Sequence, residues 1–269
     1  MGGGSGEGEM VAGKVTEFIR VGDEVLRPAT ANSESMRQLL AYLEECGFQG
    51  APQVVGSEPD GAVRLTWIEG WVPDEAEAWK LDAEALESVG LLLREYHDTV
   101  RGFAPTAGFE EGPQAVAEGD IVCHGDIAPR NTVFGDGRAV AFIDWDGIWI
   151  APAIWDLGHA LWQFAPICGD DDPWLQNWPA PPDRSTRITA LVRGYRPAPS
   201  EAQQLSEMIC EVIAGCHSSM ARKSGSGIPA FIRLEREGTL DVLSRQLQAA
   251  QQLRPLIQEA VFAGCLDQG

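Results

Sequence analysis

The chain has 269 residues, 44% of them hydrophobic, and a formal net charge of −20 at pH 7, enough apolar material for one large domain or two lobes with their own cores. A field of that sign repels polyphosphate backbones and argues against nucleic acid as a partner; no apolar run approaches the roughly 18 residues of a membrane helix, and the N-terminus is glycine-rich and acidic rather than basic and then apolar, so no membrane partner is expected. The six cysteines are dispersed with no Cys-x-x-Cys pair, which argues against a disulfide scaffold or zinc site and for reduced, buried thiols in a cytoplasmic protein.

Residues 1–9 carry no apolar period and are expected to be a flexible N-terminus, with a short first strand near Glu9 to Val11. Thr16 to Val21 and Glu24 to Arg27 are rich in β-formers and flank Gly22-Asp23, the pattern of a hairpin. A helix follows: Ser33 is its candidate cap, Met36, Leu39, Leu40 and Leu43 recur at helical spacing, and Gly47 can take the left-handed conformation at its end. Val63, Leu65 and Trp67 alternate as a strand before Gly70 and Pro73 end the run at a linker between lobes. Beyond it, Leu81 to His97, Trp155 to Phe164, Arg184 to Tyr195 and Leu240 to Ile257 have helical spacing, while Pro166 to Pro182 is a loop. Two short strands, Asn131 to Phe134 and Ala139 to Ile143, flank Asp136-Gly137 as a second hairpin.

The chemistry concentrates there. His124-Gly125-Asp126-Ile127-Ala128-Pro129-Arg130-Asn131 precedes Ile143-Asp144-Trp145-Asp146 by the length of one short hairpin. Phosphoryl transfer needs a carboxylate to orient and deprotonate the attacking hydroxyl, and oxygen ligands for a magnesium ion that neutralises the β- and γ-phosphates. Asp126 at the loop start is the candidate for the first task. Asn131, five residues on, and Asp144 on the returning strand are candidates for the second, converging on the same point.

The pattern H-G-D, four residues, N, then I-D-W-D resembles that of the aminoglycoside phosphotransferase family and its antibiotic-kinase relatives. Leu92 to Asp98 is similar to that family's helix ending in L-H-D, Pro152-Ala153-Ile154-Trp155-Asp156-Leu157 to its P-A-x-x-D-L segment, and Gly47-Phe48, Ala51-Pro52, Gly56 and Leu65 to Gly70 to its first lobe. The resemblance covers about residues 10 to 200. It implies an α+β, protein-kinase-like fold with a small β-rich N-lobe (residues 10–70) that binds nucleotide and a larger, mainly helical C-lobe (residues 71–269) that carries the catalytic loop and binds the acceptor. ATP or GTP with Mg2+ would lie in the cleft, the base against the linker at Trp67, Ile68 and Glu69. Arg27 stands where the kinase template has its phosphate-orienting lysine; it can hold phosphate bidentately, although its fork differs from an ammonium in geometry. The glycine loop is reduced to Gly13, and Glu34 is the candidate acidic partner on the following helix.

Other side chains carry blander readings. His124 is expected to organise the loop, His97 and His159 to be satisfied packing residues, and Asp156 to brace the catalytic loop; Asp146 either binds a second metal or caps the next segment. Cys216-His217 lacks a second ligand pair. Trp149, Trp155, Trp162, Trp174 and Trp178 lie near the acceptor side of the sequence, where core packing is the simpler role. Asp170-Asp171-Asp172 would steer a cationic acceptor if its acids face the site, although acids of this number also serve simply to solvate a surface. The expected function is phosphorylation of a hydroxyl on a small molecule, an antibiotic first of all. The alternatives are a metabolic or biosynthetic kinase acting on a sugar, amino alcohol or nucleoside-type product, and a catalytically silent kinase-like binding module.

Overall fold

The structure, a computed structural model, describes residues 9–12, 17–74, 76–104, 108–109 and 115–266. Of the segment 1–9 expected to be flexible, residues 1–8 lie outside the described residues, as does Gly13. Five short strands come first: β1 (Glu9–Ala12), β2 (Glu17–Val21), β3 (Glu24–Arg27), β4 (Val54–Ser57) and β5 (Val63–Thr66), antiparallel in the order β1-β2-β3-β5-β4. Gly22, at φ +62°, closes the β2–β3 hairpin, as its residue type allows. Between β3 and β4 runs α1 (Ser33–Glu45), which buries the expected Met36, Leu39, Leu40 and Leu43 and ends before Gly47 at φ +78°. Its N-cap position is Asn32, one residue before the expected Ser33.

The rest is mainly helical: α2 (Ala83–Val100), α3 (Ile154–Phe164), α4 (Arg184–Tyr195), α5 (Pro199–Gly225), α6 (Pro229–Arg236) and α7 (Thr239–Leu266). Two small antiparallel ladders interrupt it: β6 (Ile121–Cys123) pairs with β9 (Trp149–Ala151), and β7 (Thr132–Gly135) with β8 (Arg138–Phe142). The β7–β8 turn is the expected Asp136-Gly137, with both residues left-handed, which matches the twist of the flanking strands. The apolar interior is continuous from α1 to α7.

Two helices escape the sequence reading. In α5 the apolar residues Leu205, Ile209, Val212 and Ile213 are buried at helical spacing, but polar residues and Gly215 dilute the pattern. The helix is fixed instead by Pro199 at its first position and Glu201 reaching back to the Ala198 N–H at 2.7 Å. In α6 no residue is fully buried, so a core pattern gives no signal there. α7 continues past Pro255 to Leu266 because Ile257, Ala260, Val261 and Gly264 lie buried in its second half.

The closest helix crossing sets the site's foundation. A Cβ on Gly90 of α2 would lie 2.1 Å from the Leu191 carbonyl oxygen, and one on Gly194 of α4 would lie 2.0 Å from that of Glu87. The two backbones touch because both positions lack side chains. α2 carries Tyr96, whose hydroxyl donates to the Val122 carbonyl of β6 at 2.6 Å, so the crossing also locates the strand that leads into the catalytic loop. Gly90→Ala should destabilise the fold by ~2 kcal/mol despite gaining helix propensity, because well-packed backbones must separate; a lower urea midpoint with unchanged slope is the expected reading.

Candidate active site

The loop after β6 is held by a buried carboxylate. Asp156, near the start of α3, accepts the N–H groups of His124 at 2.7 Å and Gly125 at 2.8 Å. Behind it, His97 Nε2 lies 3.3 Å from Asp156 Oδ2 while Nδ1 meets the Tyr195 hydroxyl at 2.8 Å; a carboxylate only accepts, so Nε2 carries the hydrogen. Burial by itself would raise the Asp156 carboxyl, but His97, His124 and the loop N–H hold it below the ordinary carboxylate range. Asp156 braces the loop, as its place in the sequence implies.

Gly125 must be glycine. Its φ is +82°, and a Cβ there would fall 2.3 Å from the Gly147 carbonyl oxygen, so the loop and the turn after β8 approach backbone to backbone. His124 is fully buried and organises this junction: Nε2 lies 3.0 Å from the Ile143 carbonyl oxygen, and Nδ1 accepts the Asp126 N–H at 3.3 Å.

Asp126 emerges with its carboxylate fixed on both oxygens. Arg130 Nη2 donates to Oδ1 at 2.6 Å and Asn131 Nδ2 to Oδ2 at 2.8 Å. Burial opposes ionisation, yet the Arg130 charge, assisted by His159, His124 and Asn131, holds the carboxyl down to about 2. Asn131 also donates to the Asp126 carbonyl oxygen at 2.9 Å, so both amide hydrogens are committed and Oδ1 is the end it can offer. Arg130 was not singled out by sequence reasoning, although its place four residues after Asp126 was visible; its Nη1 also reaches Gln163 of α3 at 3.2 Å.

The second half of the site follows β8. The Ile143 N–H donates to the Asn131 carbonyl at 2.9 Å, which sets Asp144 beside the end of the loop. Asp144 is left-handed, φ +67° and ψ 56°, a conformation that costs free energy for a residue other than glycine and concentrates at functional sites. Arg27, at the end of β3 and nearly buried, donates Nη2 to Asp144 Oδ1 at 2.5 Å and Asp146 Oδ2 at 2.6 Å. Burial would lower the guanidinium, but the two carboxylates raise it, while burial and the neighbouring Asp144 charge raise Asp146.

That ion pair changes two sequence expectations. Glu34 is not the partner of Arg27: it faces outward and binds Arg37 and Gln38. Asp146 fills that place, and its carboxylate is committed to Arg27 rather than to capping. Asn32, which sequence reasoning passed over, ties α1 to the same turn by donating to the carbonyls of Asp146 at 2.9 Å and Ile148 at 3.4 Å.

At the linker, the Arg20 guanidinium lies 4.1 Å from the Trp67 ring centre and bonds Glu69 at 2.6 Å. The Trp67 backbone N–H donates to the Asp23 carbonyl at 2.7 Å, and Trp71 exchanges two 2.8 Å backbone bonds with Phe134 of β7. A Cβ on Gly70 would meet the Phe134 carbonyl at 2.7 Å. Trp67, Ile68 and Glu69 thus lead from β5 to the hairpin that carries the catalytic loop.

The expectation that Asp170-Asp171-Asp172 forms a steering patch does not survive for two of its acids. Asp172 is buried, caps the turn at Trp174 and lies near Gln246, while Asp170 pairs with Arg184 at 2.9 Å. Trp149, Trp155 and Trp162 are buried packing residues, and Trp178 lies under the Arg187 guanidinium. His159 of α3 lies against the loop. Nδ1 lies 3.1 Å from the Ile127 carbonyl oxygen, whereas Nε2 faces Asp126 Oδ1 at 3.6 Å.

The chain has similar counterparts among known proteins. Residues 109–180, which contain the catalytic loop, Asp144 and Asp156, match the family model described as the phosphotransferase enzyme family. The segment that carries the site is thus similar to that of a phosphotransferase. The trifolitoxin immunity protein of Rhizobium leguminosarum bv. trifolii is 29% identical over 192 residues, spanning 69% of this chain and 72% of that protein. A choline/ethanolamine kinase family protein from Mesorhizobium loti superposes with a TM-score of 0.59 at 15% identity, over 92% of this chain and 93% of that one. The GDP complex of aminoglycoside 2'-phosphotransferase-IIIa does so with a TM-score of 0.55 at 15% identity, over 93% and 92%. The chain therefore shares the fold of these two structures, with the antiparallel N-terminal sheet and larger helical part of protein-kinase-like structures. No helix among the described residues is long and apolar enough to cross a membrane.

Proposed function

We propose that the protein transfers the γ-phosphoryl group of ATP or GTP, bound with Mg2+, to a hydroxyl of a small molecule. The observation that carries this reading is the fixed Asp126 carboxylate, gripped by Arg130 and Asn131 at the start of the loop that backbone bonding joins to Asp144. Two of the lone-pair directions of Asp126 are occupied, which leaves others to orient an incoming hydroxyl. Asn131 Oδ1 and Asp144, whose carboxylate is 43% exposed and, among the described residues, bonded through Oδ1, would form an oxygen donor set suited to a hard cation that binds through few protein ligands. When bound there, Mg2+ would neutralise charge on the β- and γ-phosphates. Arg27 anchors the phosphates from the sheet side, with Asp146 holding its guanidinium in place; Gly13 and the linker residues Trp67, Ile68 and Glu69 complete the nucleotide site.

An antibiotic acceptor is favoured by the immunity protein among the relatives and the aminoglycoside kinase among the solved structures, whereas the choline/ethanolamine kinase family protein favours an amino alcohol. Aminoglycosides and amino alcohols are both cationic at neutral pH, in keeping with the net charge of −20. A cytoplasmic location goes with the reading, since nucleoside triphosphates and reduced thiols are found there. The test is release of ADP or GDP with aminoglycosides, peptide antibiotics, amino alcohols and sugars offered in turn. One class should raise turnover well above the nucleotide-only rate; nucleotide binding with no response to any class would favour a silent binding module.

A further inference from the structure

We propose that Arg27 guards the magnesium site, holding Asp144 as its counter-ion and yielding it to the metal when nucleotide phosphates draw the guanidinium away. The inference rests on reading Asp144 as a magnesium ligand and Arg27 as the phosphate anchor. It starts from the way one nitrogen is shared. Nη2 of Arg27 has two hydrogens and meets two carboxylates, Asp144 Oδ1 at 2.5 Å and Asp146 Oδ2 at 2.6 Å. Nε of the same guanidinium is buried and finds no partner among the described residues. A buried donor left unpaired is costly. The two carboxylates thus hold the guanidinium in a position where one of its own donors is left over, and an arriving anion with several acceptor oxygens can engage it more fully.

The two partners are not equivalent. The Asp146 side chain is 19% exposed and that of Asp144 43%, and an ion pair weakens as water reaches it. Asn32 also ties the N-terminal part of the chain to the backbone of Asp146, at 2.9 Å. Asp146 is therefore the partner that Arg27 keeps, and Asp144 the one it can release. No carboxylate of α1 takes part, since Glu34 binds Arg37 and Gln38 instead. The phosphate anchor and the metal ligand consequently meet on one short turn and draw on the same carboxylate.

That sharing has an electrostatic consequence. A guanidinium is a permanent charge, so a metal ion that binds Asp144 while Arg27 remains on it adds a like charge to one carboxylate. Triphosphate reverses the balance: its oxygens offer Arg27 bidentate partners and return the Asp144 charge to the metal. Free divalent ions, which a chain of net charge −20 attracts, are thereby kept from the site, and metal is admitted together with nucleotide. Arg27 is a positioning residue for the metal and acts through Asp144.

The test uses Mn2+ in place of magnesium, with its binding to the full-length protein in the absence of nucleotide read from the electron paramagnetic resonance signal of the free ion. Arg27→Gln can still donate to Asp146 but has lost the charge. It should bind Mn2+ about tenfold or more tightly than the native protein, a change of ~1.4 kcal/mol, and adding Asp144→Asn should abolish the gain. Arg27→Lys keeps the charge and should bind Mn2+ as weakly as the native protein. Metal-free ADP should bind Arg27→Gln about tenfold more weakly. Cooperative thermal melting checks each fold, and Arg27→Met gives the same reading if Arg27→Gln does not fold. Mn2+ binding that is no tighter without the Arg27 charge, or a gain that survives Asp144→Asn, would overturn the proposal; the metal reading stands in either case if Asp144→Asn in the otherwise native protein weakens binding of the Mn–ADP complex. If that complex binds Asp144→Asn as it does the native protein, both the guard and the metal reading are wrong.

Discussion

Asp126→Asn is expected to bind Mg-nucleotide within about threefold of the native protein and to lose on the order of 10²-fold or more in kcat, the usual scale for removing a positioned proton acceptor. The substitution keeps the size of the side chain. Asn131 can still donate to its carbonyl oxygen, and Arg130 retains its bond to Gln163, so the loop should keep its course while the negative charge disappears. Nucleotide affinity by equilibrium titration and turnover with the best acceptor separate the two effects. Near-native turnover would remove Asp126 from the chemistry, and a parallel collapse of nucleotide binding would mean that the variant had disturbed the loop.

Asp144→Asn should fail in a different way, through a magnesium requirement raised by about tenfold or more. Asparagine is among the few residues other than glycine that tolerate the left-handed backbone of this position, so the turn after β8 should survive and the change should be confined to the ligand. A hard cation prefers the carboxylate it has lost. The variant also removes one of the two carboxylates holding Arg27, leaving Asp146 at 2.6 Å as the remaining anchor. Activity should recover towards the native level as magnesium rises, whereas Asp126→Asn should not respond. Titrating magnesium against both variants at saturating nucleotide reads the difference; identical magnesium curves would refute the division of labour between base and metal ligand.

The two variants probe neighbouring residues whose environments differ for a physical reason. Asp126 is surrounded by donors that hold its charge in place, so its shape matters less to nucleotide binding than its charge matters to the hydroxyl. Asp144 is half exposed and, among the described residues, pairs through Oδ1 with one cation, Arg27. Arg27 thereby connects the N-terminal sheet to the turn after β8.

What the sequence determined by itself is the local and motif-borne part. The hairpin at Asp136-Gly137, the apolar face of α1 and the full span of α4 were legible because turn chemistry and helical period act over a few residues. Asp126, Asn131 and Asp144 were singled out for a related reason: one loop and one hairpin separate them along the chain, and the Ile143 N–H bonded to the Asn131 carbonyl joins the two halves. Tertiary structure alone decided the partnerships across long separations. Arg27 and Asp146 are 119 residues apart and pair because β3 lies over the turn after β8, which displaced Glu34 from the role its helix suggested. Asp170 and Asp172 look like a free acidic run until folding brings Arg184 and Gln246 to them. His159 reads as a packing residue one helical turn after Asp156, and only the approach of α3 to the catalytic loop aims its Nε2 at Asp126. A sequence states which groups can donate, accept or carry charge; which of them meet within 4 Å, the range in which those properties act strongly, depends on how distant segments pack.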